Sequence, residues 1–99
     1  HNKESKVVVP KDNKDYTFSP AKRITTPQMT LFEYSSLIAA RSLQISQGAD
    51  IKVEYLPSTS TNDIARLEID LGLTSLIIRR QLVSGEYEYW KASELILPR

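Results

Sequence analysis

The chain has 99 residues, a net charge of +1 and 40% hydrophobic residues, values typical of one small globular domain. The charge balance argues against a nucleic-acid-binding protein, which usually carries a strong basic excess. No apolar run approaches the roughly 20 residues of a membrane-spanning helix. Cysteine is absent and the single histidine is His1, so the usual general bases and metal ligands are missing. We therefore expect no active site, no metal and no cofactor.

Residues 1–24 are polar, rich in lysine and without periodicity, which predicts a flexible N-terminal arm before a domain over residues 25–99. The one apolar run in this arm is Val7–Val9, which stops at Pro10. Two interpretations of the run stay open. It could add a strand to the sheet edge of a partner, or it could be an ordinary apolar patch in a tail.

The first helix is predicted from its end signals. Thr30 and Glu33 have the spacing of a capping box, in which each side chain bonds the backbone N–H of the other residue. Gly48 is a natural left-handed terminator, so the helix should run to about Gln47. Apolar residues occupy more than one side of this helix. Such a pattern is typical of a fully buried helix, or of one that packs between its own domain and a partner.

The second half of the chain predicts a second helix and a β-hairpin. Alternation over 51–55 predicts a short strand before that helix. The helix should be capped by Thr59 or Ser60 and ended by Gly72. The hairpin strands are expected at 76–82 and 86–90, with the turn at 84–85, and residues 93–97 as a helical turn or a short extended piece. The predicted fold class is α+β, two packed helices followed by a β-hairpin.

Two pairs of carboxylates have a spacing that acid–base chemistry could use. We expect both Glu86 with Glu88 and Glu68 with Asp70 to form solvated faces instead, because carboxylates at this spacing are usually part of a solvated face.

The sequence also contains an arginine pair, Arg79-Arg80. Adjacent strand residues point to opposite faces, so one arginine can face solvent while the other needs a partner. That partner could be a carboxylate of the same chain, for instance Glu88 across the hairpin, or a carboxylate or chain terminus of another protein. Phosphate binding is a third interpretation.

Several short motifs, in order and with matching spacing, together resemble the omega-type small subunit of DNA-dependent RNA polymerases, in its eukaryotic and archaeal branch. They are Arg23–Thr30, Phe32-Glu33, Arg41–Ile45, Ile64-Ala65, Ile77–Arg80, Gly85–Trp90 and Glu94-Leu95. Departures, such as Ser36 where the family usually has arginine, indicate a divergent member from a protist or a large DNA virus.

The resemblance implies an omega-like fold and a non-catalytic role: binding the largest polymerase subunit and promoting assembly of the enzyme. One side of the first helix would cover its own domain and the other would contact the largest subunit. Residues expected at the interface are Thr30, Phe32, Glu33, Arg41, Gln44, Arg79 and Arg80.

The resemblance also bears on partners and location. Partners would be the largest subunit, the rest of the polymerase, and a transcription factor bound through the arm, with no sequence-specific nucleic-acid contact and no membrane. The location would be the nucleus in a eukaryotic cell, or the virion or cytoplasmic factory of a virus. A free-standing regulatory module that binds other proteins, or a nucleic-acid-binding module, are the alternatives.

Overall fold

The computed structural model describes residues 5–10 and 23–98. Three strands and two helices make up the fold, which confirms the predicted α+β class. In chain order they are β1 (Ser5–Val8), α1 (Leu31–Ser46), α2 (Thr61–Asp70), β2 (Ile77–Gln81) and β3 (Tyr87–Lys91), followed by a 3₁₀ turn at Ala92–Glu94. Within these residues, no helix has the length and apolar character to cross a membrane.

The ends of both helices follow local sequence signals. The Thr30 hydroxyl accepts from the Glu33 N–H, and the Glu33 carboxylate accepts from the Thr30 N–H, both at 3.0 Å. The predicted capping box is therefore confirmed. Gly48 follows α1 with a φ of 98°, the left-handed conformation expected of a terminator. At α2, the cap is Ser60, whose hydroxyl accepts from the Asp63 N–H at 3.1 Å.

The sheet is antiparallel with the order β1-β2-β3. The predicted hairpin forms its β2–β3 half, with Gly85 in the turn at a φ of 94°. The third strand, Ser5–Val8, was not predicted. The flexible-arm prediction is wrong for these four residues, because β1 pairs with β2 of the domain's own sheet rather than with a partner. Residues 1–4 and 11–22 of the predicted arm lie outside the described residues.

Two connecting segments differ from or refine the predictions. The strand predicted over 51–55 is absent from the described structure, which shows irregular backbone there. Its Lys52 N–H donates to the Glu68 carboxylate at 2.8 Å, so a buried side chain takes the place of a neighbouring strand. The final segment, predicted as a helical turn or a short extended piece over residues 93–97, contains both. After the 3₁₀ turn, Ile96 forms a parallel bridge with Gln28.

The hydrophobic core lies between the two helices and one face of the sheet. Leu37 and Ile38 of α1 meet Ala65 of α2, while Ile78 and Trp90 contribute from the sheet. Ile78 and Trp90 are partners across β2 and β3, so they share a face. The same face also carries Arg80 and Glu88, which places charged groups at the edge of the core.

Candidate partner-binding surface

Arg80 is tied to the inside of the domain. Its Nε and Nη2 each donate to a different oxygen of Glu33 at 2.8 Å, a bidentate pair. The same guanidinium donates to Thr25 Oγ1 at 3.1 Å, to the Thr26 carbonyl, and to the Gln28 carbonyl at 3.0 Å. All five N–H donors of Arg80 are therefore used within the chain.

Glu33 has several partners besides Arg80. Its side chain is only 1% exposed, and it also accepts from Ser5 Oγ at 2.7 Å and from the Thr30 N–H. Burial alone would raise the pKa of Glu33, but the hydrogen bonds from Arg80, Ser5 and Thr30 outweigh burial and lower it. One carboxylate thus ties the beginning of α1 to both β1 and β2.

Glu88 fastens the segment that precedes α1 to the sheet. Its carboxylate accepts from the Ile24 N–H at 2.6 Å, from the Thr25 hydroxyl, and from Trp90 Nε1 at 3.2 Å. Burial would raise the pKa of Glu88, but these hydrogen bonds, that of Thr25 foremost, lower it. Arg80 pairs with Glu33, so the intramolecular alternative is confirmed, with Glu33 as the partner in place of Glu88, the example given for it.

Arg23 completes this connection. Its guanidinium lies 4.0 Å from the centroid of the Trp90 ring and donates to the Tyr89 carbonyl and to Glu94, both at 3.0 Å. Arg80 also lies over the Trp90 ring, at 5.4 Å. Both arginines thus pack against Trp90, and the beginning of the domain is held on the sheet by charge-assisted bonds.

A second buried ion pair joins the two helices. Arg41 of α1 donates through Nε to Glu68 of α2, and through Nη2 to the Asp50 carbonyl at 2.6 Å. Glu68 is fully buried, and its other oxygen accepts from the Lys52 N–H. The charge on Arg41 is therefore balanced inside the domain.

The solvated-face predictions are wrong for Glu68 and Glu88, both of which are buried. The sequence periodicity already indicated burial of each of these two carboxylates. Glu68 lies four residues after Ile64 and one before Ile69, so it falls on the buried stripe of α2. Glu88 lies two residues before Trp90, and therefore on the core face of β3. The other members of the two pairs, Asp70 and Glu86, are exposed as expected.

One side of α1 is left exposed by the domain. Phe32 is 49% exposed and Leu43 58%, and Ser35 and Ala39 are also exposed. These four residues recur at intervals of three or four, so they lie on one helix face. We call Phe32, Ser35, Ala39 and Leu43 the outer face of α1. It is apolar with small residues at its centre, which allows another chain to approach closely.

Arg79 differs from Arg80 in its surroundings. It points to the opposite sheet face, is half-buried, and stacks on the Tyr87 ring at 4.3 Å. Its Nε is buried without a hydrogen-bond partner among the described residues. Of the seven predicted interface residues, three have their charges satisfied within the chain: Glu33, Arg41 and Arg80. Thr30 caps α1. The remaining three are accessible in part: Phe32, Gln44 and Arg79. Contact of any of them with a partner stays a prediction.

Taken together, the fold and the candidate surface define a small α+β domain held together by buried charge pairs. Among the described residues, no cluster of histidine, cysteine, aspartate and glutamate could hold a metal ion. The buried charges have internal partners, and α1 presents an exposed apolar face.

Comparisons with known proteins identify relatives of this chain. No protein-family model matches the chain. It is 39% identical over 77 residues to a Caenorhabditis briggsae protein named "Probable DNA-directed RNA polymerases I, II, and III subunit RPABC2", a match that covers 78% of this chain and 56% of the relative. It is 39% identical over 74 residues to the RPABC2 subunit of Schizosaccharomyces pombe, covering 75% and 52%. It is 44% identical over 73 residues to that of Dictyostelium discoideum, covering 74% and 55%.

The chain spans about half the length of the curated relatives it matches. Over the matched residues it is a divergent homologue of RPABC2, the omega-type subunit common to RNA polymerases I, II and III. The family resemblance drawn from the motifs is thereby confirmed.

Proposed function

We propose that this protein is a non-catalytic subunit of a DNA-dependent RNA polymerase, which binds the largest subunit and promotes assembly of the enzyme. The observation that carries the proposal is the match of three quarters of the chain to shared polymerase subunits, at about 39% identity. Because these relatives are eukaryotic, the site of action is the nucleus.

The outer face of α1 is the surface that best fits this function. Exposed apolar surface on a monomer can mark a protein-binding site. Phe32 and Leu43 offer apolar area near opposite ends of the helix, while Ser35 and Ala39 between them let a partner backbone come close. Half-buried Arg79, whose guanidinium stacks on the Tyr87 ring, lies on a separate surface. Arg80 and Arg41 instead stabilise the domain that presents these groups.

The test is affinity purification of the tagged full-length protein from its native source. The proposal requires that the two largest polymerase subunits are recovered with it and resist stringent salt. Recovery of a transcription or signalling factor without polymerase would instead support a free-standing regulatory module. Salt-sensitive binding of DNA or RNA, without polymerase, would support a nucleic-acid-binding module.

Point variants locate the interface. Phe32→Asp places a charge on the outer face of α1 and should reduce recovery of the largest subunit severalfold, because a buried unpaired charge is costly. The matched control is Val83→Asp, since Val83 is an exposed apolar residue beside the hairpin turn. Arg79→Ala should also reduce recovery, with Arg66→Ala on exposed α2 as its control. Wild-type recovery with Phe32→Asp would show that this face is not the interface.

A further inference from the structure

The sheet face opposite the core carries an arginine that the domain does not use. Arg79 stacks on Tyr87 at 4.3 Å, but no hydrogen bond or ion pair joins its guanidinium to any residue that the structure describes. Only its Nε is buried without a partner, so its terminal nitrogens are open to solvent. Each of the other four described arginines pairs with a carboxylate: Arg23, Arg41, Arg66 and Arg80. The phosphate-binding interpretation of the arginine pair therefore stays open for Arg79 alone.

A second cation lies directly beside Arg79. Lys6 of β1 is the register partner of Arg79 in β2, so both side chains leave the sheet on the same face. Lys6 is exposed, and the three strands place no carboxylate on this face. Like charges directly opposite each other in an antiparallel pair are destabilising. An anion between the two side chains would remove this repulsion, so the pair is complementary to a negatively charged ligand.

An aromatic ring and an amide group lie next to these two cations. Tyr87 of β3 is the register partner of Gln81 in β2. The tyrosine is 45% exposed although Arg79 lies over its ring, and Gln81 is exposed as well. A nucleic-acid base can stack on a tyrosine ring or on a guanidinium plane, and an amide can donate to or accept from the edge of a base. We call Lys6, Arg79, Gln81 and Tyr87 the cationic corner of the sheet.

The net charge of +1 is compatible with a local anion site. Three of the carboxylates that produce this balance, Glu33, Glu68 and Glu88, are buried in the domain. Glu33 and Glu68 form ion pairs there, and Glu88 accepts hydrogen bonds on the core face of the sheet. These carboxylates therefore do not neutralise the cationic corner, which lies on the opposite face.

We propose that the cationic corner binds a phosphate group of single-stranded nucleic acid. The Lys6 ammonium and the terminal nitrogens of Arg79 bind the phosphate, and an adjacent base stacks on Tyr87. The strand is single because the bases of a duplex are stacked on each other and do not offer a free face to a tyrosine ring. Phosphate contacts carry no sequence information, so the binding is independent of sequence. This inference goes beyond the proposed function and does not depend on it.

Fluorescence anisotropy of a labelled single-stranded oligouridylate tests the proposal with the full-length protein. Lys6→Glu should weaken RNA binding about tenfold, equivalent to about 1.4 kcal/mol. The matched control is Lys52→Glu, the same charge change at an exposed lysine before α2, which should bind RNA like the wild type. Tyr87→Ser should weaken binding severalfold, with the exposed Tyr55 replaced by serine as its control. Arg79 is also a predicted partner-binding residue, so the test uses no variant of it.

The thermal midpoint of the Lys6→Glu variant separates lost binding from misfolding. The substitution replaces a repulsive cross-strand pair by an attractive one with Arg79, so the midpoint should rise by a few degrees while RNA binding falls. A misfolded variant would lose binding and have a lower midpoint. A lower midpoint for Lys6→Glu would overturn the assignment of Lys6 and Arg79 as an unbalanced pair, and the proposed site with it.

Several results would overturn this inference. Equal losses for Lys6→Glu and Lys52→Glu would indicate attraction to net charge without a site. Equal affinity for duplex DNA would contradict base stacking, and competition by polyglutamate as effective as by RNA would assign the corner to an acidic protein segment. Recovery of polymerase by a protein that binds no RNA would overturn this inference alone. RNA binding through Lys6 and Tyr87 without recovery of polymerase would overturn only the proposed function.

Discussion

Replacement of Arg80 by alanine should destabilise the domain severely. The substitution removes both bonds to the buried carboxylate of Glu33, together with the bonds to the carbonyls of Thr26 and Gln28. Glu33 is then left as a charge that is 1% exposed, with only Ser5 and the Thr30 N–H as donors. Breaking a buried pair in this way typically costs about 3–5 kcal/mol.

The cost of protonating Glu33 gives a second estimate of this destabilisation. An unpaired Glu33 can take up a proton instead of remaining buried as an anion. Protonation at pH 7 of a group whose usual pKa is 4.5 costs about 3.4 kcal/mol, at about 1.36 kcal/mol for each pH unit. The two estimates agree, and both are a large fraction of the roughly 5–15 kcal/mol that stabilises a typical domain.

Urea unfolding followed by Trp90 fluorescence would measure this loss. Trp90 is the only tryptophan and is buried against Arg80 and Arg23, so its emission should report loss of the native packing. Arg79→Ala is the matched control, since Arg79 stacks on Tyr87 at the opposite sheet face, and we expect it to cost less than about 1 kcal/mol. Equal losses for the two variants would refute the assignment of Arg80 as the buried partner of Glu33.

The sign of the pH dependence offers an independent check. In the wild type the pKa of Glu33 is lowered, so its stabilising contribution is complete above pH 4.5 and is lost as the pH falls through the folded-state pKa. In Arg80→Ala, burial without the guanidinium should raise the pKa of Glu33. That variant should therefore gain stability as the pH falls from 7 towards 5. A variant that loses stability over this range would contradict the argument.

Three further predictions concern other parts of the domain. Glu68→Gln should cost about 3–5 kcal/mol, because it leaves Arg41 as a buried unpaired charge, and urea unfolding against Asp70→Asn as control would measure it. Ser60→Ala should cost about 1 kcal/mol through loss of the α2 cap, measurable as a lower thermal midpoint. The wild type should lose stability below pH 4.5, and Glu88→Gln should reduce that slope, since the lowered pKa of Glu88 contributes to it.

The parts of the fold that could be predicted from sequence are those with local causes. The capping box spans four residues, and the glycine terminator and the hairpin turn depend on the backbone preferences of one or two. By contrast, Arg80 and Glu33 are 47 positions apart and Arg41 and Glu68 are 27 apart. Nothing local specifies which carboxylate an arginine will meet, because the choice follows from how the helices and sheet pack.

The residues of the candidate site likewise divide into those that could be predicted from local sequence and those that depend on distant contacts. Exposure of Phe32 and Leu43 follows from having apolar residues on more sides of α1 than one small core can cover. The internal use of Arg80 was one open interpretation, but its partner Glu33 could not be predicted, because β1 was missing from the predicted sheet. Once Ser5 of β1 joins the sheet beside Arg80, that arginine is enclosed by β1, α1 and β2. The Arg80 guanidinium, which was predicted to contact a partner, therefore stabilises the domain itself.

The pairing of β1 with β2 has a consequence for synthesis on the ribosome. Ser5 emerges before its strand partner Arg80, which is translated 75 positions later. Until then the nascent chain can form α1 and α2, whose backbone hydrogen bonds are local, but not the sheet or the Glu33–Arg80 pair. Distant contacts of this kind are slow to form. Completion of the fold must therefore await release of the carboxyl-terminal strands, so a prematurely terminated chain would lack the whole sheet.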